Sequence, residues 1–159
     1  MRGKRAPKRK LTKDVKYNSE IVTKLINYVM QDGKKTVATK NVYMAMEEAA
    51  KLVKSKDPLE VLLQALANMT PAVEVRGLRI GGANYQVPIP VDERRGQILS
   101  VRWLTQITRD KRRQAGKPYW QVLAQEIAEA YNGTGEAVKK KEMVERMAEA
   151  NKAFAQFRY

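Results

Sequence analysis

Arginine recurs at seven-residue spacing in one stretch of this 159-residue chain. Arg95, Arg102 and Arg109 are successive members of the repeat, so a helix through them places all three on one stripe. Arginine presents a planar fork of N–H donors that matches a phosphate group in bidentate fashion, which lysine cannot do. The spacing therefore predicts a helix face that binds phosphates. The cations predicted to form this face are Arg94, Arg95, Arg102, Arg109, Arg112 and Arg113.

The net charge of the chain is concentrated in two blocks. Lys and Arg number 31 and Asp and Glu number 17, which gives a formal net charge of +14. Residues 1–16 and residues 94–117 each contain eight cations and one acid, so the two blocks account for the whole excess. Such concentrated charge destabilises a compact protein unless a polyanion binds it. The distribution predicts a nucleic-acid partner, and a solvated charged surface is the alternative for either block alone.

The first block is predicted to be an arm that is disordered when free. Residues 1–16 contain few apolar side chains and a proline, so they bury too little surface to order themselves. The arm would order along phosphates, or it would serve only as a solubilising tail. Its candidate RNA-binding residues, with those of a small basic turn farther along, are Arg2, Lys4, Arg5, Lys8, Arg9, Lys10, Lys34 and Lys35.

A β-ribbon is predicted at about residues 72–91, the only stretch with a strand pattern. Gly81 and Gly82 separate its two runs, and both can adopt the positive φ of a two-residue hairpin turn. Pro88 and Pro90 cannot donate to a sheet, so the ribbon has two strands only. Because a lone ribbon is marginally stable in water, we expect a partner molecule to support its tip.

Two arginines of the ribbon are predicted to contact phosphates. With the turn at Gly81-Gly82, Arg76 faces Val87 and Arg79 faces Asn84. The ribbon then has a basic root and a slim, nearly uncharged tip that can approach an RNA backbone closely.

The rest of the chain has apolar residues at helical spacing. We predict a mainly α fold, a single domain over residues 17–159 with about six helices. The two-stranded antiparallel ribbon projects between the third and fourth helices. The predicted helices lie at about 19–32, 36–54, 58–70, 93–113, 119–131 and 136–157.

Enzymatic and metal chemistry find no support in the sequence. Histidine and cysteine are both absent, which removes the usual general base and the thiolate ligands. The adjacent carboxylates Glu47-Glu48 and Asp92-Glu93 diverge by about 100° on a helix and have no plausible partner. No apolar run is long enough to span a membrane. We therefore expect no enzyme activity, no cofactor and no membrane partner.

Three motifs closely resemble those of the bacterial small-subunit ribosomal protein seven family. They are the ribbon P-x-V-E-V-x-x-x-R-I-G-G-A-N-Y-Q-V-P, the pairs Arg94-Arg95 and Arg102-Trp103, and the ending A-V-K-K-K-E-x-V-x-R-M-A-E-A-N-K-A-F-A at Ala137 to Ala155. The sequence D-G-K-K at Asp32 to Lys35 is similar as well, and the resemblance covers essentially the whole chain. One departure is Glu145, an acid on the last helix where relatives often have histidine.

The resemblance implies a structural protein of the small ribosomal subunit that binds the 3′ major domain of the rRNA and organises the subunit head. It also implies proximity to the exit tRNA site and messenger RNA, with head and platform proteins as neighbours. The location implied is the cytoplasmic ribosome, with an organellar ribosome as the alternative. The residues implied to lie near tRNA and messenger are Gly81, Gly82, Ala83, Asn84, Tyr85, Lys139 and Lys140.

Two aromatic residues are candidates for stacking on splayed RNA bases, namely Tyr85 and Trp103. For Trp103, packing against the protein body is an equally good interpretation. Two other functions remain open from the residues alone. One is an architectural DNA-binding protein whose ribbon enters a minor groove, and the other is a protein–protein scaffold.

Overall fold

The β-ribbon forms with the predicted register. The computed structural model describes Gly3 and residues 11–55 and 57–157. In it, strand β1 (Val73–Ile80) pairs with β2 (Ala83–Pro90) antiparallel, so that Arg76 lies opposite Val87. Gly81 and Gly82 have φ angles of 57° and 89°, values that a side chain would make costly. The two-residue turn is therefore confirmed.

The described part of the chain has six α-helices, and the ribbon lies between the third and the fourth in the sequence. This confirms the predicted fold class. Two helices have a side-chain N-cap: Asp57 accepts from the backbone N–H of Leu59 at 2.8 Å, and Asp92 accepts from that of Arg95 at 2.9 Å. The helices are α1 (Glu20–Val29), α2 (Lys35–Val53), α3 (Pro58–Met69), α4 (Glu93–Ala115), α5 (Tyr119–Tyr131) and α6 (Glu136–Ala150).

The hydrophobic core holds α4 against the helical body along one face. Leu25 of α1, Met46 of α2, Leu62 of α3, Leu104 of α4 and Leu123 of α5 are all almost completely buried. Each such side chain contributes about 1.5–3 kcal/mol through burial. The opposite face of α4 is left at the surface, where its arginines are exposed or half-buried.

A buried carboxylate joins three helices. Glu126 of α5 is fully buried and accepts from the backbone N–H of Ala137 at 2.8 Å, in the first turn of α6. Lys111 of α4 donates to Glu126 at 2.5 Å and to Glu129 at 3.2 Å. Burial acts to lower the pKa of Lys111, but hydrogen bonds and charge from the two glutamates outweigh it, so the pKa lies above its ordinary 10.5.

The last helix is shorter than predicted. It ends at Ala150, and a 3-10 helix, η1 (Lys152–Phe157), follows it. Asn151 donates its side-chain amide to the carbonyl of Met147 at 2.7 Å, a local bond that competes with continued α-helix. With about three residues per turn, η1 places Phe154 and Phe157 on the same side.

The ribbon packs against the C-terminal part of its own chain, a support that the sequence did not predict, and support of its tip by a partner molecule stays a prediction. The ring of Tyr85 lies 5.2 Å from that of Phe154 and 5.6 Å from that of Phe157 between centroids. At the root, Glu145 of α6 accepts from the backbone N–H of Ala72 at 3.3 Å. The unexpected acid on the last helix therefore has a structural partner.

Phe154→Ala is expected to loosen the ribbon without disturbing the helical core. Loss of an aromatic pair costs about 1 kcal/mol, so the amides of β2 should exchange with solvent roughly fivefold faster. Hydrogen exchange followed by mass spectrometry measures this. Lys152→Ala, at an exposed site in the same segment, is the control and should leave β2 unchanged. Equal protection of β2 in both variants would contradict the supporting role of η1.

Candidate nucleic-acid interface

Three surface cavities are lined by the arginines of α4, a helix of 23 residues and therefore about 34 Å long. The root cavity, of about 490 Å³, lies where α4 begins beside the ribbon. The central cavity, of about 300 Å³, lies between α4 and α6, and the end cavity, of about 600 Å³, lies where α4 ends. All six cations of the predicted stripe line these cavities: Arg94 and Arg95 the root, Arg102 the centre, and Arg109, Arg112 and Arg113 the end.

The end cavity collects cations from two distant parts of the sequence. Lys34, in the turn before α2, lines it together with Arg109, Arg112 and Arg113 of α4. The nearest acids are loosely placed, since Asp32 lies 3.9 Å from Lys34 and Asp110 lies 3.8 Å from Arg113. Such exposed pairs contribute about 0–1 kcal/mol, so these cations can exchange their partner for a phosphate at little cost.

Arg109 has a structural contact in addition to its place in the end cavity. Its guanidinium donates to the backbone carbonyl of Tyr28 at 2.7 Å, in the last turn of α1. This bond satisfies a carbonyl that the helix end leaves unpaired. The guanidinium has further N–H donors, which remain available on the cavity side. Arg109 thus holds α1 against α4 and contributes charge to the cavity.

Tyr119 also lines the end cavity, although the sequence did not single it out. Its hydroxyl is buried and has no hydrogen-bond partner among the described residues. Burial raises the pKa of Tyr119 to about 12, against the opposite effect of the Arg109 charge. The hydroxyl is therefore a neutral donor at physiological pH. The signal in the sequence that could have identified Tyr119 is its position directly after the second basic block.

The root cavity contains an acid that the sequence reasoning missed. Glu74 of β1 is buried, and its two oxygens accept from Arg76 at 2.5 and 2.8 Å and from Arg95 at 3.0 Å. Two arginines predicted to contact phosphates therefore share an internal carboxylate. Their side chains remain 56% and 40% exposed, which leaves N–H groups facing solvent. Arg94 is exposed, and its side chain forms no hydrogen bond or ion pair within the described residues.

The central cavity is lined by residues of both α4 and α6. Arg102 is exposed, Trp103 and Lys140 are half-buried, and all three line it. Lys140 is ten residues, or about 15 Å of helix, from the end of α6 near the ribbon. The structure thus groups Lys140 with Arg102 and not with the ribbon tip. The neighbouring Lys139 pairs with Glu136 at 3.0 Å.

The ribbon tip is open to solvent. Arg79 and the four residues Gly81, Gly82, Ala83 and Asn84 are exposed. Tyr85, by contrast, packs its ring into the aromatic cluster of η1. The tip therefore presents backbone, the amide of Asn84 and the guanidinium of Arg79, so it is less uncharged than predicted. The predicted stacking residue Tyr85 faces its own chain.

Residues 1–152 match the family model described as Ribosomal protein S7p/S5e. The chain belongs to this family. Small ribosomal subunit protein uS7 of Thermosipho africanus is 53% identical over the full length of both chains, and that of Thermotoga maritima is 51% identical over the full length. The protein of the same name from Dictyoglomus turgidum is 50% identical over 95% of this chain and 94% of its own. As an S7p/S5e protein, the chain is a structural, non-enzymatic constituent of the small ribosomal subunit.

The N-terminal arm of this S7p/S5e chain stays a prediction. Its candidates Arg2, Lys4, Arg5, Lys8, Arg9 and Lys10 lie outside the described residues. The last residues of the predicted arm are described and are anchored on α2, where Asp14 accepts from the hydroxyl of Tyr43 at 2.7 Å and Lys16 pairs with Glu47. Lys35 is exposed at the first position of α2, next to the end cavity.

Two features are absent from the described part of the chain. Within residues 11–55 and 57–157, no three carboxylates lie together as a metal site would require. In the same ranges no helix is both long and apolar enough to cross a membrane.

Proposed function

We propose that this small-subunit protein binds the 3′ major domain of the small-subunit rRNA directly, through the α4 face, and organises the subunit head. The three cavities along α4 carry the proposal, because they gather all six arginines of the stripe together with Arg76 and Lys34 from other elements. Cations that only face solvent repel one another and have no reason to cluster. Here cations from α4, from β1 and from the turn before α2 line the same cavities.

The α4 face binds RNA by neutralising phosphates at several separate points. Arg95, Arg102 and Arg109 are spaced about 10 Å apart along the helix axis, so each meets a different phosphate group. Structured RNA is recognised largely through its shape and backbone, and a row of fixed guanidinium groups suits this mode. The basic arm is proposed to extend the same contact along the RNA.

The ribbon tip and the exit tRNA site form a second part of the proposal. The exposed residues Gly81 to Asn84 lie beyond the cations of the root, where a slim tip can approach tRNA and messenger. Other proteins of the head and platform are proposed as neighbours, in the cytoplasmic ribosome. The similarity to bacterial relatives over the full length of the chain supports this placement.

Arg102→Ala tests RNA binding, because Arg102 is exposed and its side chain has no partner among the described residues. Loss of one phosphate contact is expected to flatten the plot of log affinity against log salt by about 0.7–0.9 and to weaken binding roughly fivefold at 0.15 M salt. Filter binding with a transcript of the 3′ major domain measures both quantities.

Lys51→Ala is the matched control, since Lys51 is exposed on α2 and lines none of the three cavities. It should leave the salt dependence unchanged. Duplex DNA added as competitor at equal salt separates the proposal from an architectural DNA-binding function. If duplex DNA displaced the transcript, or if Arg102→Ala behaved like Lys51→Ala, the proposed RNA contact would be refuted.

A further inference from the structure

The central cavity differs from the other two in the groups that surround it. Trp103 lines it with the apolar side chains of Leu99 and Ile107, while Arg102 and Lys140 bring charge from two different helices. The root cavity has no aromatic lining, and the end cavity has only Tyr119, whose hydroxyl is buried. Among the three cavities, an accessible aromatic surface that shares its cavity with cations of two helices is therefore specific to the central cavity.

Most polar side chains of the central cavity have no internal partner among the described residues, and Asp110 has only its loose contact with Arg113 at 3.8 Å. Within the described chain, the side chains of Arg102, Gln106 and Lys140 form no hydrogen bond or ion pair. The indole N–H of Trp103 likewise has no hydrogen-bond partner within the described chain. Because it is not a buried atom, it is accessible to solvent. These groups are positioned by α4 and α6 but are not used to hold the fold together.

We infer that the central cavity holds one unpaired nucleobase of the bound RNA, stacked on Trp103. This inference rests on the proposed RNA-binding function. Every base has a π face that stacks on an aromatic side chain, and Arg102 and Lys140 are placed to bind the phosphates on either side of it. Gln106 and Asp110 line the same cavity and supply donors and acceptors for the edge of the base.

The size of the cavity fits this occupant. A volume of about 300 Å³ lies at the lower end of the range for small-molecule pockets, which suits one planar ring system and not a helical duplex. The paired cations favour a base over an aromatic side chain of a neighbouring protein, because a base arrives with a phosphate on each side. Sequence-specific recognition of RNA uses splayed, single-stranded bases of this kind.

Fluorescence can observe the stacked base directly, because the chain has two tryptophans and one of them packs against the core. In the full-length Trp120→Phe variant, Trp103 is the only indole. Its emission should be quenched as the 3′ major domain transcript binds, with the same midpoint as filter binding. In the matched Trp103→Phe variant, the remaining Trp120 should change little.

Affinity gives an independent test. Trp103→Ala is expected to weaken binding roughly tenfold, as loss of a base stack does, while Trp103→Phe keeps most of the affinity because it retains an aromatic face. The salt dependence should stay unchanged in both, unlike in Arg102→Ala, since no phosphate contact is lost.

Two results would overturn the stacked base while leaving the proposed function intact. One is a transcript bound by the Trp120→Phe variant with no change in Trp103 emission. The other is unaltered affinity in Trp103→Ala, which would point to a protein side chain as the occupant. If the unaltered protein did not bind the transcript at all, the proposed function itself would fail.

Discussion

Glu126→Ala is expected to lower the free energy of unfolding by about 3 kcal/mol, the largest effect of any single substitution considered. The carboxylate is fully buried, and its removal leaves the Ala137 N–H without an acceptor inside the protein. It also removes the closer of the two acids that hold Lys111. Urea denaturation monitored by circular dichroism measures the loss.

Glu129→Ala is the control for position and charge. Glu129 binds the same lysine, but its side chain is 46% exposed, so the expected loss is below about 1 kcal/mol. Equal losses in the two variants would show that the buried carboxylate has no special role in joining α4, α5 and α6.

The effect of Glu126→Ala should be constant across neutral pH. The pKa of Lys111 is raised in the folded state, so its contribution to stability is complete below pH 10.5 and is lost only as the pH rises through the folded pKa.

The double substitution Arg112→Ala and Arg113→Ala is expected to cause the largest loss of RNA binding. Both side chains line the end cavity, and their only ion pair within the described residues is the loose contact of Arg113 with Asp110 at 3.8 Å. Two phosphate contacts contribute about 1.4–1.8 to the salt slope, and their loss should weaken binding roughly 20-fold at 0.15 M salt. Filter binding over a series of salt concentrations measures both.

A matched variant separates the position of these charges from their number. The double variant Lys51→Ala and Lys152→Ala also removes two positive charges, but at exposed sites that line none of the three cavities. It should leave the salt slope within error of the unaltered protein. If both double variants lost affinity equally, binding would depend on net charge alone and the end cavity would have no particular role.

Local chemistry explains why much of the fold could be predicted. The Gly81-Gly82 pair determines the ribbon register, because a two-residue turn with both φ values positive leaves one way to pair the strands. Asp57 and Asp92 determine two helix starts through bonds to backbone N–H groups only two or three residues away. The seven-residue arginine spacing likewise depends only on helical geometry.

The residues of the candidate site could be predicted from the sequence, but the way in which they group into cavities could not. The sequence identified the cations of α4, yet the closest acids that pair with them come from other elements: Glu74 from β1 and Glu126 from α5. Ion pairs across 15 or more residues depend on how helices and strands dock, which no local pattern specifies.

The sequence by itself determined the elements, the ribbon register and the presence of a cationic helix face, because each depends on interactions between near neighbours in the chain. Only the tertiary structure decided that the arginines divide among three cavities, that Lys140 joins Trp103, and that Phe154 supports Tyr85. These groupings arise from burial of apolar helix faces, which is non-directional. The surface residues are then brought together wherever the packed helices place them.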